Sequence, residues 1–364
     1  MKQRKNRALV RFDFNVPYNK KGITDDFRIR AALPTIFSLI KKKHQVIICT
    51  HWEGGGETPH LDIVATHLEK LLKIPVLFIK GVLPLFGTRF TAPIVLLDNL
   101  RLFAGEKNNE ASFAKHLASF ADYFINDAFS VSHRSHASVV SVPRYLPSTL
   151  GPLLKKEIRE LSRALVPRHP FFVVLCGKKF STKEPLIHRL LLSADHMFIG
   201  GAIANAFLRD QGYEIGSSYV DEGHIPKNLL RHKKIMLPID VVVKRGKKII
   251  QCDFDKVQAH DAIVDVGPKT IKQLKQRILS ARLILWNGTF GIFEQGFKNG
   301  TTAFARLVKI TKGYSIVGGG DTVDALDHIK GRAIFDFVST GGGAMLDFLA
   351  EGDLPGIEAV VRGK

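Results

Sequence analysis

The stretch Ser315-Ile316-Val317-Gly318-Gly319-Gly320-Asp321-Thr322 runs from a short apolar segment into three consecutive glycines. The same order recurs along the chain: an apolar run, a glycine-rich or polar turn, and then apolar residues spaced near 3.6. Alternating strand and helix predicts parallel sheets with helices on both faces. Near-continuous apolar runs are typical of strands that are covered on both faces. The predicted fold class is therefore α/β, in three-layer α/β/α domains.

The apolar runs that we interpret as strands lie in both halves of the chain. They are Ala8–Phe14, Val46–Thr50, Pro93–Leu97, Tyr123–Asn126, Phe171–Leu175, His196–Ile199, Lys234–Leu237, Ala262–Val266, Leu283–Trp286, Ser315–Val317 and Ala333–Val338. Segments with helical spacing lie between them. They include Arg30–Lys42, Thr58–Leu72, Glu110–Ala121, Leu153–Leu165, Lys183–Leu192 and Gly300–Lys309.

The length of 364 residues predicts two domains, because single cores stop growing near about 250–300 residues. Gly151-Pro152 breaks regular structure, and the charged amphipathic helix that follows is ended by Pro167. We therefore predict an N-terminal domain at residues 1–152 and a hinge helix at 153–167. A C-terminal domain is predicted to begin at residue 168.

Composition narrows the class of protein. A hydrophobic content of 45% with 24% charged residues argues against disorder. The three cysteines form no CxxC pair, which argues against a zinc or disulfide framework and favours a reducing cytosol. The basic start is not followed by the apolar run of a signal peptide, and no apolar stretch is long enough to span a membrane.

The formal net charge of +19 indicates an anionic partner, which could be a nucleic acid, a membrane surface or a phosphorylated metabolite. Charge alone does not choose among the three. The sequence holds no RNP-type aromatic motif, no zinc-finger spacing and no basic region leading into heptads.

Polar residues follow the strands of the first half, where ligands of open parallel sheets bind. Asp13 and Asn15 alternate after the first strand, so their side chains point the same way. Arg28 and Arg30 lie near the start of a predicted helix, where a positive charge is unfavourable next to the helix dipole. This position suggests that they have a function, although they could also be ordinary exposed arginines. A motif of the HxxH type at residues 133–136 lacks a third metal ligand. The candidate anion ligands are Arg28, His51, Arg101 and Arg134.

Glycines follow the strands of the second half, in a number that tight turns alone do not explain. Glycine lets backbone N–H groups approach phosphates, and a following helix N-terminus adds positive potential. Glycine-rich turns at several strand ends predict a nucleotide site, and Asp321 could hold Mg²⁺ there. Neither GxxxxGK[ST] nor a full GxGxxG is present, which excludes a Walker-type NTPase and a standard dinucleotide binder. An anion site in one domain and a nucleotide site in the other predict phosphoryl transfer.

These motifs resemble the phosphoglycerate kinase family in their order from nearly the first residue to the last. The stretches that carry the resemblance are Val10–Pro17, Ile23–Ala32, Asn99–Arg101, Asn126–Phe129, His133–Ser138, Asp265–Thr270, Trp286–Gly288, Gly318–Thr322 and Val338–Ala344. The resemblance implies two Rossmann-like domains around a cleft: a phosphoglycerate-binding domain and, at residues 168–346, a nucleotide-binding domain. It also implies that residues 347–364 return to the first domain.

The implied activity is reversible, Mg²⁺-dependent transfer of a phosphoryl group between 1,3-bisphosphoglycerate and ADP, giving 3-phosphoglycerate and ATP, as in glycolysis. A cytoplasmic monomer is implied, without a specific nucleic acid or a membrane as partner. The implied residues match this sequence position by position. They are Arg28 and Lys179 for catalysis; Asp13, Asn15, Arg28, His51, Arg101 and Arg134 for the phosphoglycerate; Lys183, Asn287, Glu294, Gly319, Gly320, Asp321 and Thr322 for the nucleotide; and Asp321 for Mg²⁺.

The sequence departs from the family pattern at both sites. Gly54 stands where the family has an arginine after the second strand, and Glu53 adds a negative charge beside it. Thr182 replaces the usual aspartate before Lys183, and Lys178 is an extra cation. Two alternatives follow. One is a weakened or inactive homologue that serves as a nucleotide-binding or regulatory protein; the other is a nucleic-acid binder that acts through its basic surface.

Overall fold

The computed structural model describes residues 6–53, 59–81, 83–329 and 331–362. The chain separates into two compact units. Unit 1 comprises Met1–Arg159 and Asp353–Lys364, and unit 2 comprises Glu160–Gly352. Two of the residues that carried sequence predictions, Gly54 and Thr58, lie outside the described residues.

Unit 1 is built on a six-stranded parallel sheet with the order β5-β6-β4-β1-β7-β8. A short antiparallel hairpin, β2-β3, follows its first strand. The strands are β1 (Arg7–Arg11), β2 (Tyr18–Asn19), β3 (Gly22–Ile23), β4 (Gln45–Cys49), β5 (Val76–Ile79), β6 (Ile94–Leu97), β7 (Tyr123–Asn126) and β8 (Ser148–Leu150). The helices up to the end of this sheet are α1 (Phe27–Lys41), α2 (Asp62–Leu72), α3 (Ala104–Lys107) and α4 (Ala111–Ala118), and α5 (Pro152–Leu165) leads into unit 2.

The sheet of unit 1 is covered on both faces, as the continuous apolar runs predict. Successive side chains of a strand point to opposite faces. Ala8 and Val10 belong to one apolar cluster, whereas Leu9 between them belongs to a second cluster on the other face. The two clusters fill the space between the sheet and the helices on its two faces, as expected for a three-layer α/β/α unit.

Unit 2 repeats this architecture with a parallel sheet of order β11-β10-β9-β15-β16-β17. The core beneath it is aromatic: the ring centroids of Trp286 and Phe304 lie 4.8 Å apart. The strands are β9 (Phe171–Leu175), β10 (His196–Ile199), β11 (Ile235–Met236), β12 (Asp240–Arg245), β13 (Lys248–Asp253), β14 (Asp261–Val266), β15 (Leu283–Asn287), β16 (Tyr314–Gly318) and β17 (Phe337–Val338). The helices are α6 (Glu184–Leu191), α7 (Gly201–Asp210), α8 (Lys227–Leu230), α9 (Pro268–Ser280), α10 (Asn299–Ile310), α11 (Gly320–His328) and α12 (Gly342–Glu351).

The predicted α/β fold class is confirmed, with one addition. Strand β14 is not part of the parallel sheet, because it pairs antiparallel with β12, and β12 pairs antiparallel with β13. No residue of β13 is buried and half of them are exposed, so the strand has no continuous buried apolar run. That is why the sequence pattern revealed β14 but not β13.

Short helical turns connect the larger elements. One-turn 3₁₀ segments lie at Leu100–Leu102, Phe129–Val131, Val142–Arg144, Phe254–Lys256, Phe293–Gln295 and Arg332–Ile334, and a π-helical turn lies at Ala137–Ser141. The segment Ala333–Val338, expected to be a strand throughout, therefore contains part of a 3₁₀ turn before β17. Within the described ranges, we find no helix that combines the length and the apolar character needed to cross a bilayer.

The last helix, α13 (Pro355–Arg362), belongs to unit 1. Gly356 donates its N–H to the carbonyl of Ser132 at 2.8 Å and accepts a hydrogen bond from Asn126 Nδ2 at 3.1 Å. A methyl group on Gly356 would lie 2.5 Å from Val139 Cγ1, so only glycine fits this approach. The chain thus leaves unit 1 through α5 and comes back after Gly352.

Candidate active site

The first candidate site lies at the carboxyl ends of β1, β4, β6 and β7 in unit 1. Arg28, on the first turn of α1, donates from Nη1 to the backbone oxygen of Asn15 at 2.7 Å and lies 3.1 Å from Asp13 Oδ2. Asp13 Oδ1 in turn accepts from the backbone N–H of Asn15 at 2.8 Å. The Arg28 side chain is still partly exposed, so its guanidinium is oriented by unit 1 and accessible to an anion.

Asp13 is the fixed anion of this group. Its buried carboxylate also accepts a hydrogen bond from Ser130 Oγ. Burial on its own raises the pKa of Asp13, but Arg28 and these hydrogen bonds outweigh that effect and hold the pKa below its ordinary value. Asp13 is therefore ionised at neutral pH and holds Arg28 in place.

His51 follows β4 and is buried. Arg11 Nη2 lies 3.2 Å from His51 Nδ1, and because arginine can only donate, Nδ1 accepts and the ring proton resides on Nε2. Burial, with the nearby arginines, lowers the pKa of His51 to about 3 despite Asp13. At neutral pH His51 is an uncharged donor rather than a cation.

Arg11 itself is fully buried at the end of β1 and is held by polar groups that the sequence did not point to. Its Nε donates to Ser138 Oγ at 2.9 Å, and Ser138 Oγ donates to Glu106 Oε1 at 2.6 Å. Glu106 is also fully buried, so this chain of hydrogen bonds satisfies a buried cation and a buried anion together.

Arg101 follows β6 and is buried against His136, whose two ring nitrogens each lie 3.1 Å from Arg101 Nη1. Burial, together with Arg101, lowers the pKa of His136 to about 4, so the ring is neutral. The Arg101 guanidinium forms an ion pair with Glu53, with 3.0 Å between Nε and Oε1. Arg134 lies after β7 with an exposed side chain.

The second candidate site lies at the carboxyl ends of the parallel strands of unit 2, where two helix N-termini meet. Gly319, with φ of +111°, precedes α11, and a methyl group there would lie 2.6 Å from Asn287 Nδ2. At the start of α12, a methyl group on Gly342 would lie 3.2 Å from the backbone nitrogen of Gly320. First-turn N–H groups have no acceptor within their own helix, so α11 and α12 together create positive potential for a phosphate.

Lys183 brings a formal charge to this edge of the sheet. Its Nζ donates to the carbonyl of Cys176 and to Asn287 Oδ1, and Asn287 Nδ2 donates to the carbonyl of Gly318 at 2.7 Å. Burial lowers the pKa of Lys183 to about 8, although Asp321 opposes the shift. Asn287 therefore positions Lys183 with its side-chain oxygen.

Thr322 and Asp321 differ sharply in exposure although they are adjacent on α11. Thr322 is buried, and its Oγ1 accepts from the backbone N–H of Gly288 at 2.7 Å, which ties α11 to the end of β15. Asp321 is exposed.

Among the described residues no three His, Cys, Asp or Glu side chains form a metal cluster. A single carboxylate fits Mg²⁺ only if phosphates supply further ligands, which is the usual manner of Mg²⁺ binding.

The loop before α6 carries the lysine that sequence reasoning assigned to catalysis. Lys179 is exposed, and its carbonyl accepts a hydrogen bond from Thr182 Oγ1 at 3.0 Å. Thr182, which stands in place of an aspartate, thus closes the turn from 179 to 182. Lys178 is held over the ring of Tyr219, with Nζ 4.6 Å from the centroid, and Ser181 Oγ donates to Asp221 at 2.9 Å. Glu294 is exposed in its 3₁₀ turn.

The structure brings most of the predicted residues together within their own units. Asp13, Asn15, Arg28 and His51 form one connected group, and Lys183, Asn287, Gly319 and Thr322 form another. Sequence reasoning missed Glu106, Ser130 and His136. The last two lie in the polar run after β7, which was a usable signal, whereas nothing in the local sequence marks Glu106.

Comparison with known proteins gives one consistent result. The family model described as Phosphoglycerate kinase matches residues 1–352. The chain is 41% identical to a phosphoglycerate kinase of Dictyoglomus turgidum, over 98% of this chain and 96% of the relative. It is 38% identical to that of Pseudothermotoga lettingae, over 99% and 97%.

Solved structures agree with these relatives. The phosphoglycerate kinase of Coxiella burnetii superposes with a TM-score of 0.84 at 36% identity, over 99% of this chain and 97% of that one. The enzyme of Pyrococcus horikoshii gives a TM-score of 0.85 at 27% identity, over 99% and 96%. The resemblance inferred from the sequence is confirmed: the chain belongs to the phosphoglycerate kinase family.

Proposed function

We propose that the protein catalyses reversible transfer of a phosphoryl group between 1,3-bisphosphoglycerate and ADP, giving 3-phosphoglycerate and ATP. The acceptor in the reverse direction is a carboxyl group, so the protein is a phosphotransferase. The observation that carries the proposal is the edge of unit 2 where α11, α12 and the buried Lys183 converge, in a chain that matches this family over residues 1–352.

The residues of unit 1 supply cations and donors for the phosphoglycerate. In the proposal Arg101 and Arg134 bind its anionic groups, and neutral His51 donates from Nε2. Asp13 and Asn15 orient Arg28 toward the reacting group, through the contacts described above. Preorganised cations need no rearrangement when charge develops in the transition state.

The residues of unit 2 receive the nucleotide. Gly319, Gly320 and Thr322 offer backbone N–H groups to the phosphates, Lys183 adds a positive charge, and Glu294 binds the ribose. Asp321 would hold Mg²⁺ together with the phosphates, and the ion would neutralise phosphate charge. Lys179 acts with Arg28 on the equatorial oxygens of the moving group, which is transferred in line. We further propose that α5 serves as the hinge that brings the two substrates together.

An assay with 3-phosphoglycerate and MgATP tests this proposal, with ADP formation coupled to NADH oxidation. We expect clear turnover, which would exclude the alternative of an inactive nucleotide-binding homologue. Turnover absent at every substrate concentration, with MgATP still bound, would favour that alternative. The proposal also includes a cytoplasmic monomer, and sedimentation of the purified chain at one monomer mass is the expected result.

Nucleotide affinity is expected to fall as the pH rises above about 8. Phosphates favour the charged form of Lys183, but its lowered pKa makes the free protein lose this proton from about pH 8 upward. Above that value binding must restore the proton, so affinity falls by up to about tenfold per pH unit. Calorimetric titration of ADP in buffers of different ionisation enthalpy should reveal proton uptake near pH 8.

The matched control for this pH dependence is Lys183→Met. This variant should bind ADP more weakly, with an affinity that no longer changes between about pH 7.5 and 9.5. Equal pH dependence in the parent and the variant would show that another group titrates.

A further inference from the structure

Glu53 forms an ion pair with Arg101, one of the arginines that we propose to bind the phosphoglycerate. Arg101 Nε lies 3.0 Å from Glu53 Oε1. The Arg101 side chain is only 6% exposed, whereas that of Glu53 is 58% exposed. The ion pair therefore joins a fixed, buried cation to an anion on the solvent side of it.

The two partners are held differently. Arg101 is fixed on its inner side by His136, and burial lowers its pKa while Glu53 opposes that shift. Glu53 is fixed through its backbone, because its N–H donates to Asn15 Oδ1 at 3.0 Å. Its side chain is more than half exposed and takes no part in that backbone bond, so it can turn away into water without disturbing the backbone or Asn15.

We propose that Glu53 is an internal counter-ion of Arg101 that the phosphoglycerate must displace, and that this residue sets the affinity of the site for its anionic substrate. The inference rests on the proposed function, in which Arg101 binds that substrate. It goes further by naming a determinant that weakens binding.

Two physical effects act in the same direction. An incoming anion has to compete with Glu53 for the charge of the Arg101 guanidinium, and it approaches a carboxylate that stays nearby even after displacement. Both effects weaken the ground-state complex, and neither involves the reacting phosphoryl group. Glu53 is therefore expected to affect the KM for 3-phosphoglycerate, with kcat and the KM for ATP unchanged.

The test is Glu53→Gln, which removes the charge, keeps the size of the side chain and keeps the backbone bond to Asn15. We expect the KM for 3-phosphoglycerate to fall about tenfold, equal to about 1.4 kcal/mol. The matched control is Glu69→Gln on α2, an exposed residue of the same unit, which makes the same change in net charge. It should leave the KM for 3-phosphoglycerate within twofold of the parent.

A double-mutant cycle with Arg101→Met separates the pair from the general field of the protein. If Glu53 acts through Arg101, Glu53→Gln should improve binding much less in the Arg101→Met background. Equal improvement in both backgrounds would show that Glu53 repels the substrate without opposing Arg101, and the counter-ion inference would be wrong.

Calorimetric binding of 3-phosphoglycerate, without nucleotide, keeps this test independent of turnover. An inactive parent that binds 3-phosphoglycerate more weakly than Glu53→Gln would refute the proposed function and support the inference. An active parent with the same KM and the same affinity for 3-phosphoglycerate as Glu53→Gln would support the proposed function and refute the inference. Failure of both chains to bind 3-phosphoglycerate at millimolar concentration would also overturn the inference.

Discussion

Replacement of Arg28 by alanine is expected to lower kcat about 10³-fold, the typical scale for an arginine that stabilises charge on a transferring phosphoryl group. Arg28 is held by the backbone oxygen of Asn15 and by Asp13, yet its side chain stays accessible. The cation is thus in position before the substrate arrives, and alanine removes both the charge and the donors. Steady-state rates with 3-phosphoglycerate and MgATP measure the loss.

Arg30→Ala is the matched control for this variant. Arg30 lies on the same first turn of α1, but its side chain is 59% exposed and pairs at 2.8 Å with Asp26, the residue just before the helix. An exposed pair of this kind contributes little. Activity should therefore stay close to that of the parent. If Arg28→Ala keeps its activity within tenfold of the parent, Arg28 does not act on the transferring group.

The second large effect is expected at Gly288, at the end of β15. Its φ is +95°, and a methyl group there would lie 2.0 Å from the carbonyl oxygen of Cys176, in the backbone that follows β9. Neither strand can give way without disturbing the sheet edge to which Lys183 is hydrogen-bonded. Gly288→Ala therefore combines backbone strain with overpacking, and we expect a loss of about 4 kcal/mol of stability. The midpoint of thermal unfolding should fall by roughly 10 °C.

Gly296→Ala separates the two contributions. Its φ of +89° is nearly the same, but no atom lies within 4 Å of the position that its methyl group would occupy. Only the backbone strain remains, so the midpoint should fall by about 3 °C. Circular dichroism of both variants measures the difference. Similar shifts in the two would mean that the contact with Cys176 relaxes at little cost.

The sequence predicted those parts of the molecule that depend on local pattern. β7, β9 and β10 begin and end at the predicted residues, because each is a short, mainly apolar run next to a residue that favours turns: Asp127 follows β7, Pro170 precedes β9 and Gly200 follows β10. β1 was expected to reach Phe14, yet pairing stops at Arg11 while Phe12 and Phe14 stay buried. The apolar pattern continues because Phe12 and Phe14 are still buried after the strand has ended. The end of β1 is set by where its neighbouring strands stop pairing with it, which the pattern of β1 itself does not contain.

The parts that escaped prediction depend on contacts between distant segments. Glu106 joins Arg11 through Ser138, and the three residues come from separate elements. A glutamate on a short helix is usually exposed, so its local sequence gives no sign of burial. The pair of Glu53 and Arg101 is similar: the sequence showed an extra negative charge, and only the fold showed which cation it faces.

The placement of α13 in unit 1 bears on how the protein is made. The backbone of Gly356 completes hydrogen bonds to Ser132 and Asn126, beside the π-helical turn. During synthesis these residues leave the ribosome only after the whole of unit 2 has emerged. Domains usually fold in order from the N-terminus as they are translated. The packing of Gly356 against Val139 therefore cannot form until unit 2 has been synthesised, so unit 1 completes its native contacts only after the chain of unit 2 is available to fold.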